Sequence, residues 1–394
     1  MKLMQRTRNI VISACKYAIH KNTDKYVENI LKIATFNYIQ QDKPSKLESV
    51  VFVTPYMTRH SGGLTSVLRI AKRLSEFGLK VEFTCPTSDD CANMVENARS
   101  NLSEYVPQYI TWEKALNNIY DFVIPVQDVM VYYARHLCGY LIYFVQDYEP
   151  YFNPVGDRYY LSKKAYELGE DIISLGEWNI QEIKRNISLE KLGNMYSIEF
   201  PFEATEYPLV EKDFHDLEKK NNINLAVYVK REPKRLPGIV MNMLEHVSRS
   251  LKEKGINLNI YYFGLHKVEK PNVGINLGRL SKDKIRELYA KCDFGMVASM
   301  TNISLVPYEM IGSGLPVIEF RDGSYPSFLG NDSAILLESF DFKELEEKIM
   351  YYRTNYKELY KMTSIARERI SGLSWDKSSK EFYDILMSIT KNDM

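Results

Sequence analysis

One stretch of the chain constrains the fold more than any other: an apolar run, Asp293-Phe-Gly-Met-Val-Ala298, leading into Ser299-Met-Thr-Asn-Ile-Ser-Leu-Val-Pro-Tyr-Glu-Met-Ile-Gly-Ser-Gly-Leu-Pro-Val-Ile-Glu319. A short uninterrupted apolar run is the pattern of a strand covered on both faces, as in a parallel sheet. A helix is expected to start at Ser304, whose hydroxyl can cap it. Pro307 falls in the first turn, where a missing N–H costs little, and Gly312 and Gly314 stop the helix before a second strand over 315–320. The unpaired N–H groups of Leu305 and Val306 then leave the carboxyl edge of a sheet, where a helix N-terminus attracts phosphate. Glu309 stands one turn further on. A carboxylate there suits two vicinal hydroxyls, as on a ribose, because it accepts from both.

The same alternation runs through most of the chain. Strand-like segments at 49–55, 79–84, 121–126, 140–145, 171–175 and 195–200 are separated by helical spacing, for example Leu64, Val67, Leu68, Ala71 and Leu74 before Gly78. Pro201 and Pro208 bracket a polar stretch that reads as a linker, and the pattern restarts at 225–229, 256–263 and 273–281. The fold class is therefore α/β, with two doubly wound parallel sheets. At 394 residues the chain is long enough for both to have cores. The expected segments are 1–48, N-terminal and basic; 49–205, the first Rossmann-like domain; 206–375, the second; and 376–394, a last helix.

Charge is balanced, with 51 basic and 51 acidic residues, which argues against a nucleic-acid partner. Five scattered cysteines without a Cys-x-x-Cys pair fit a reduced compartment and not zinc. No Asp-x-Asp pair, Gly-x-Gly-x-x-Gly after a strand, P-loop or serine elbow is present, so no metal or cofactor is expected. The N-terminal stretch is basic, with Lys2, Arg6, Arg8, Lys16, Lys21, Lys25 and Lys32 against Asp24 and Glu28. Its apolar part, broken by Lys16, is too short to span a bilayer. It reads first as a helix packed on its own domain, and second as a basic amphipathic helix at an anionic membrane leaflet.

Three further sites stand at strand ends. Gly62 and Gly63 follow the first strand, where a turn lets backbone approach a ligand. Gln146-Asp147 follows the strand over 140–145, at the edge where open sheets bind ligands; an ordinary loop cap is the plainer alternative. Lys230-Arg-Glu-Pro-Lys-Arg235 gathers four cations in six residues directly after the strand over 225–229. Fixed cations can offset charge developing on a leaving diphosphate. A solvated basic turn is the plainer alternative.

Ser304-Leu-Val-Pro-Tyr-Glu309-Met-Ile-Gly-Ser-Gly-Leu-Pro-Val resembles the nucleotide-sugar signature of glycosyltransferase family 4 and related GT-B enzymes. Together with Tyr143-Phe-Val-Gln-Asp-Tyr-Glu-Pro150, it is most similar to bacterial rhamnosyltransferases that build cell-surface rhamnose glycans. The likeness covers the chain from about Val50 onward. It implies two domains facing a cleft, the last helix crossing back to the first domain, and retaining, metal-independent transfer in the cytoplasm. The donor would be a nucleotide sugar, with dTDP-L-rhamnose favoured, and the acceptor a growing glycan or a lipid-linked saccharide at the inner membrane leaflet. Lys230 with Lys234 or Arg235 would hold the diphosphate, Asp147 would lie beside the reacting sugar with Gln146 donating to it, and Gly62 and Gly63 would admit substrate. Gly264, Arg279 and Leu280 would contact the base, His266 the phosphate, and Ser304, Leu305, Val306 and Glu309 the nucleotide. The family has two glutamates separated by seven residues; the second matches Glu309, but the first falls on Thr301. That departure leaves a second reading, a non-catalytic GT-B module serving as a partner subunit in a glycan-synthesis complex.

Overall fold

The computed structural model describes residues 21–34 and 40–390. The chain divides into two compact units. One holds Met1–Leu175, Asn179–Ile198 and Ser379–Met394; the other holds Gly176–Trp178 and Glu199–Ser378.

The first unit is built on strands β1 (Ser49–Val53), β2 (Lys80–Thr84), β3 (Gln108–Ile110), β4 (Ile119–Pro125), β5 (Cys138–Val145), β6 (Asp171–Leu175) and β7 (Met195–Ile198). They form one parallel sheet in the order β3-β2-β1-β4-β5-β6-β7. The chain begins in the middle, winds outward to β3, then returns to the other side of β1. This reversal lies between β1 and β4, and the diverging carboxyl ends there form the place where such sheets take ligands. Val50, Val51, Phe52 and Val53 are fully buried, as expected for a strand covered on both faces. The helix Gly62–Glu76 buries Leu64, Val67, Leu68, Ala71 and Leu74, and Gly78 follows it at φ +94°. From Ser379 onward the C-terminal helix Trp375–Ile389 belongs to this unit. Phe382 meets the Phe144 ring edge-on at 5.3 Å, and Tyr383 lies 5.1 Å from Phe77.

In the second unit β8 (Asn222–Tyr228), β9 (Asn257–Phe263), β10 (Ile275–Asn276), β11 (Phe294–Met296), β12 (Val317–Phe320) and β13 (Ile335–Leu337) form a parallel sheet in the order β10-β9-β8-β11-β12-β13. Its reversal falls between β8 and β11. Residues 273–281 hold only the two-residue β10, because Gly274 and Gly278, at φ +80° and +74°, turn the backbone out of the extended range on either side. The edge strand β13 and the three-residue β3 are too short to leave a periodic signal.

Residues 1–20, which carry much of the basic N-terminal stretch, lie outside the described residues. The helix over 21–33 packs on the first unit. Ile30 is buried, the Arg158 guanidinium sits 4.5 Å above the Tyr26 ring, and His136 Nε2 lies 2.7 Å from the Ile33 carbonyl oxygen. Among the described residues no helix is long and apolar enough to cross a membrane.

Candidate functional site

The loop after β8 carries the four cations to the carboxyl edge of the second sheet, and the structure separates their roles. Lys230 is 39% exposed at its side chain. Its Nζ lies 3.7 Å from Glu232 and 5.8 Å from the centre of the Tyr228 ring, too loose a pairing to hold it in place. Arg231 turns aside to Glu269 at 2.5 Å. The Lys234 carbonyl accepts from the Met300 N–H at 3.4 Å and so ties the loop to the chain leaving β11. Arg235 is buried. Its Nη1 donates to the Ala298 carbonyl at 3.0 Å and lies 3.5 Å from Ser299 Oγ, while its Nε is buried without a partner.

Ser299 in turn binds Glu319, at the buried end of the second sheet. The Ser299 hydroxyl donates to one carboxylate oxygen at 2.6 Å, and the N–H groups of Ser299 and Phe320 donate to the other at 3.1 and 3.3 Å. Burial pushes the Glu319 carboxyl up to about 7, against the pull of Ser299 and the Arg235 charge. Sequence reasoning assigned Glu319 no role. Its signal was an acid inside Pro316-Val-Ile-Glu-Phe320, where a strand covered on both faces should be wholly apolar.

From Ser299 the chain passes buried Thr301 to the helix Leu305–Gly312. Ser304 occupies the N-cap position but makes no side-chain cap bond, contrary to expectation; its Oγ is buried without a partner. The helix N-terminus thus keeps the donors of Leu305 and Val306 together with an uncommitted hydroxyl. Gly312 is the last residue inside the helix rather than a stop, and a Cβ there would come within 2.8 Å of the Phe202 ring. Gly314, at φ +77°, makes the turn.

Glu309 faces back toward Tyr207 and Tyr289. The Tyr289 hydroxyl donates to it at 3.4 Å, and Tyr207 also hydrogen-bonds the carboxyl. Enclosure by protein raises this carboxyl to about 7; the two phenols and Lys282 pull it down, and Glu206, itself paired with Lys282 at 2.9 Å, pushes it up. A carboxylate has about four lone-pair positions, so two phenols still leave room for two hydroxyls of a ligand. The two tyrosines come from the linker and from the helix Lys282–Lys291, and no motif marks them.

The expected base contacts are spread more thinly. Gly264, at φ +96°, packs so tightly that a Cβ would lie 2.8 Å from the Val229 carbonyl oxygen. It therefore joins the end of β9 to the loop after β8. Arg279 is exposed and Leu280 half-buried. His266 contributes backbone only, its N–H to Glu269 and its carbonyl to Asn276. Ser281 occupies the N-cap of Lys282–Lys291 without a side-chain bond.

In the first unit Gly62 and Gly63 open the helix Gly62–Glu76, capped by Ser61. A Cβ on Gly62 would meet nothing within 4 Å, but one on Gly63 would touch Gln146 Oε1 at 3.4 Å. The structure thus brings Gly63 and Gln146 together at the carboxyl ends of β1 and β5. Asp147 is buried, and its Oδ1 accepts from the Tyr148 N–H at 2.9 Å, as a loop cap does. Behind it lies a cluster that the sequence did not reveal. Glu149 Oε2 accepts from the Asp128 N–H at 2.5 Å and from the Tyr143 hydroxyl, and Tyr166 donates to the Asp147 carbonyl at 3.1 Å. Burial raises both Asp128 and Glu149, Glu149 well above the usual carboxylate range, with the Asp128 charge adding to the effect.

No family model matches the chain, and no curated protein matches it in sequence. Its fold does match solved structures. HepE of Anabaena, solved with UDP and glucose, superposes at a TM-score of 0.65 with 13% identity, over 86% of this chain and 100% of that one. A glycosyltransferase of Rickettsia africae gives 0.64 with 15% identity, covering 88% and 100%. Sucrose-phosphate synthase of Thermosynechococcus elongatus gives 0.65 with 12% identity, covering 87% and 99%. The chain has the two-sheet α/β fold of the GT-B glycosyltransferases.

Proposed function

We propose that the chain is a glycosyltransferase that takes a sugar from a nucleoside-diphosphate donor held by its second unit. The observation that carries this reading is the carboxyl edge of that unit. There a basic loop, a helix N-terminus with an unpartnered Ser304 hydroxyl, and the Glu309 carboxyl arise from consecutive parts of one sheet. In this reading Lys230 and Arg235, with Lys234, neutralise the diphosphate as it leaves, the N–H groups of Leu305 and Val306 bind its oxygens, and Glu309 accepts from the ribose hydroxyls. The solved structures similar in fold include one bound to UDP and glucose, which supports a nucleotide-sugar donor.

The finer reading is transfer of L-rhamnose from dTDP-L-rhamnose, with retained configuration and no metal, to a growing cell-surface glycan or a lipid-linked oligosaccharide. The sugar–phosphate bond breaks and the acceptor oxygen bonds the same carbon on the same face. The acceptor's proton passes to a departing phosphate oxygen. Asp147 and Gln146 hold the reacting sugar or its acceptor, and Gly63 leaves them room. With an acceptor of this kind the protein would work in the cytoplasm, at the inner face of the membrane.

Calorimetry with dTDP, UDP and GDP, each with chelator, tests the proposal. Binding of dTDP alone supports the thymidine donor and metal-independent binding. Preference for UDP or GDP keeps the transferase and discards rhamnose. The buried Thr301, which lacks the two acceptor oxygens of a carboxylate, favours a second reading as a non-catalytic nucleotide- or glycan-binding subunit. Donor hydrolysis by the purified protein, abolished in Glu309→Ala, would exclude that reading.

A further inference from the structure

The side chains that close the carboxyl edge of the second unit meet at one buried serine. Every polar group of Ser299 is engaged: N–H and hydroxyl donate to Glu319, the carbonyl accepts from the Ser324 N–H at 2.7 Å and hydroxyl at 3.2 Å, and Oγ faces Arg235 Nη1 at 3.5 Å. Even the chain opposite is fitted to it, since a Cβ on Gly323 would lie 2.5 Å from the Ser299 carbonyl oxygen. Glu319 is 0% exposed and has the apolar neighbours Ile318 and Phe320. For stability alone, an apolar residue at such a position usually does as well as a buried charge. An acid kept there, with all its bonds directed at one serine and one adjacent N–H, points to a task beyond packing.

Arg235 supplies the other end of the chain of contacts. It closes the basic loop, and Leu236 after it is held at φ +45°, so the backbone turns at once into the helix Pro237–Glu253. Arg235 is pinned on one side by Ala298 and Ser299 and retains a buried Nε with no partner in the protein. A guanidinium held by part of its donors, with another left over, suits an anion with oxygens in a plane.

We propose that Glu319 is the positioning residue of the basic loop: through Ser299 it fixes the Arg235 guanidinium so that its remaining N–H groups meet the diphosphate of the donor. This rests on the reading of that loop as the diphosphate site. Glu319 touches no ligand; it acts through Ser299 on Arg235. Ser299→Ala removes only the bridging hydroxyl, and Glu319→Gln keeps the shape while changing one acceptor oxygen into a donor, which either turns the serine hydroxyl round to accept or opposes the N–H groups of Ser299 and Phe320.

The experiment is calorimetric titration of wild type, Ser299→Ala, Glu319→Gln, Arg235→Ala and the two double variants. The probes are whichever of dTDP, UDP and GDP binds the wild type, and the matching nucleoside monophosphate. Both mild variants are expected to weaken the diphosphate about five- to tenfold, to leave the monophosphate within about twofold, and to have no further effect once Arg235 is alanine. Equal weakening of both nucleotides with a lowered unfolding temperature would show a purely structural role and overturn the proposal. So would tighter diphosphate binding in Glu319→Gln, which would make Glu319 an opposing charge. If Arg235→Ala weakens binding while the mild variants match wild type, the positioning role alone fails. If Arg235→Ala itself binds like wild type, the reading of Arg235 as a diphosphate contact falls, and the proposal with it.

Discussion

The two units share a topology and differ in what their carboxyl edges hold. At the edge of the second, a buried acid is answered by a serine and a buried arginine, with further cations in the same loop. At the edge of the first, buried Glu149 is answered by the Asp128 N–H and the Tyr143 hydroxyl, buried Asp128 by the Val129 N–H, and burial raises both. One edge is therefore arranged around fixed positive charge, and the other around neutral hydrogen-bonding groups. The same winding of strands and helices supplies the positions, and the side chains decide the charge at each edge. An anion suits the first arrangement described, and a polyhydroxylated neutral ligand suits the second.

Turnover gives the sharpest way to break this contrast. Lys230→Ala is expected to lower it roughly ten- to a thousandfold if the cation acts mainly in the transition state, as read by steady-state rates at saturating donor. Unchanged turnover would remove Lys230 from the site. Gly264→Ala should come next, destabilising the second unit by about 1–3 kcal/mol or more, because φ +96° and a 2.8 Å contact with the Val229 carbonyl oxygen both oppose a side chain. Chemical denaturation measures it, and a neutral result would show that the loops after β8 and β9 yield easily.

Tyr143→Phe tests the first unit. It removes a donor from buried Glu149 and should destabilise by about 1–3 kcal/mol. No change would mean the tyrosines there only fill space. The dependence on pH is gentler. The raised carboxyls of Glu309 and Glu319 bind protons more tightly in the folded than in the unfolded chain. Their contribution to stability is therefore fully present below about 4.5 and is lost as pH rises to about 7. Unfolding temperature should fall over that window, and Glu309→Gln and Glu319→Gln should each flatten the slope. The smallest effect expected is from Gly62→Ala, within about 0.5 kcal/mol, since the added methyl meets open space. Gly63→Ala at the same turn brings a methyl within 3.4 Å of Gln146 Oε1, so a larger effect there than at Gly62 would show that the Gln146 amide is held in place at this edge.

Much of the architecture was legible because most of the parallel strands are short apolar runs and the helices between them have their own spacing. The strand at 49–53, the helix after Gly62 and the helix over 305–312 all follow from local pattern. The positions of Lys230 and Gln146 at strand ends, and of Glu309 within the helix that follows a strand, were legible for the same reason. The uses of those side chains were not. Ser304 looked like a cap, yet its hydroxyl makes no cap bond; Arg235 was expected to hold a diphosphate with Lys230, yet unlike Lys230 it is buried, bound to Ala298 and Ser299.

The sequence by itself determined the alternation of strands and helices, hence the α/β class, because hydrophobic periodicity is a local property of the chain. The tertiary structure alone decided the strand order and the partners of buried polar groups. Arg235 meets Ser299 across 64 positions, and Ser299 meets Glu319 across 20. A buried charge can be recognised in a sequence as an anomaly, but the group that answers it is chosen by which loops the sheet brings to one edge.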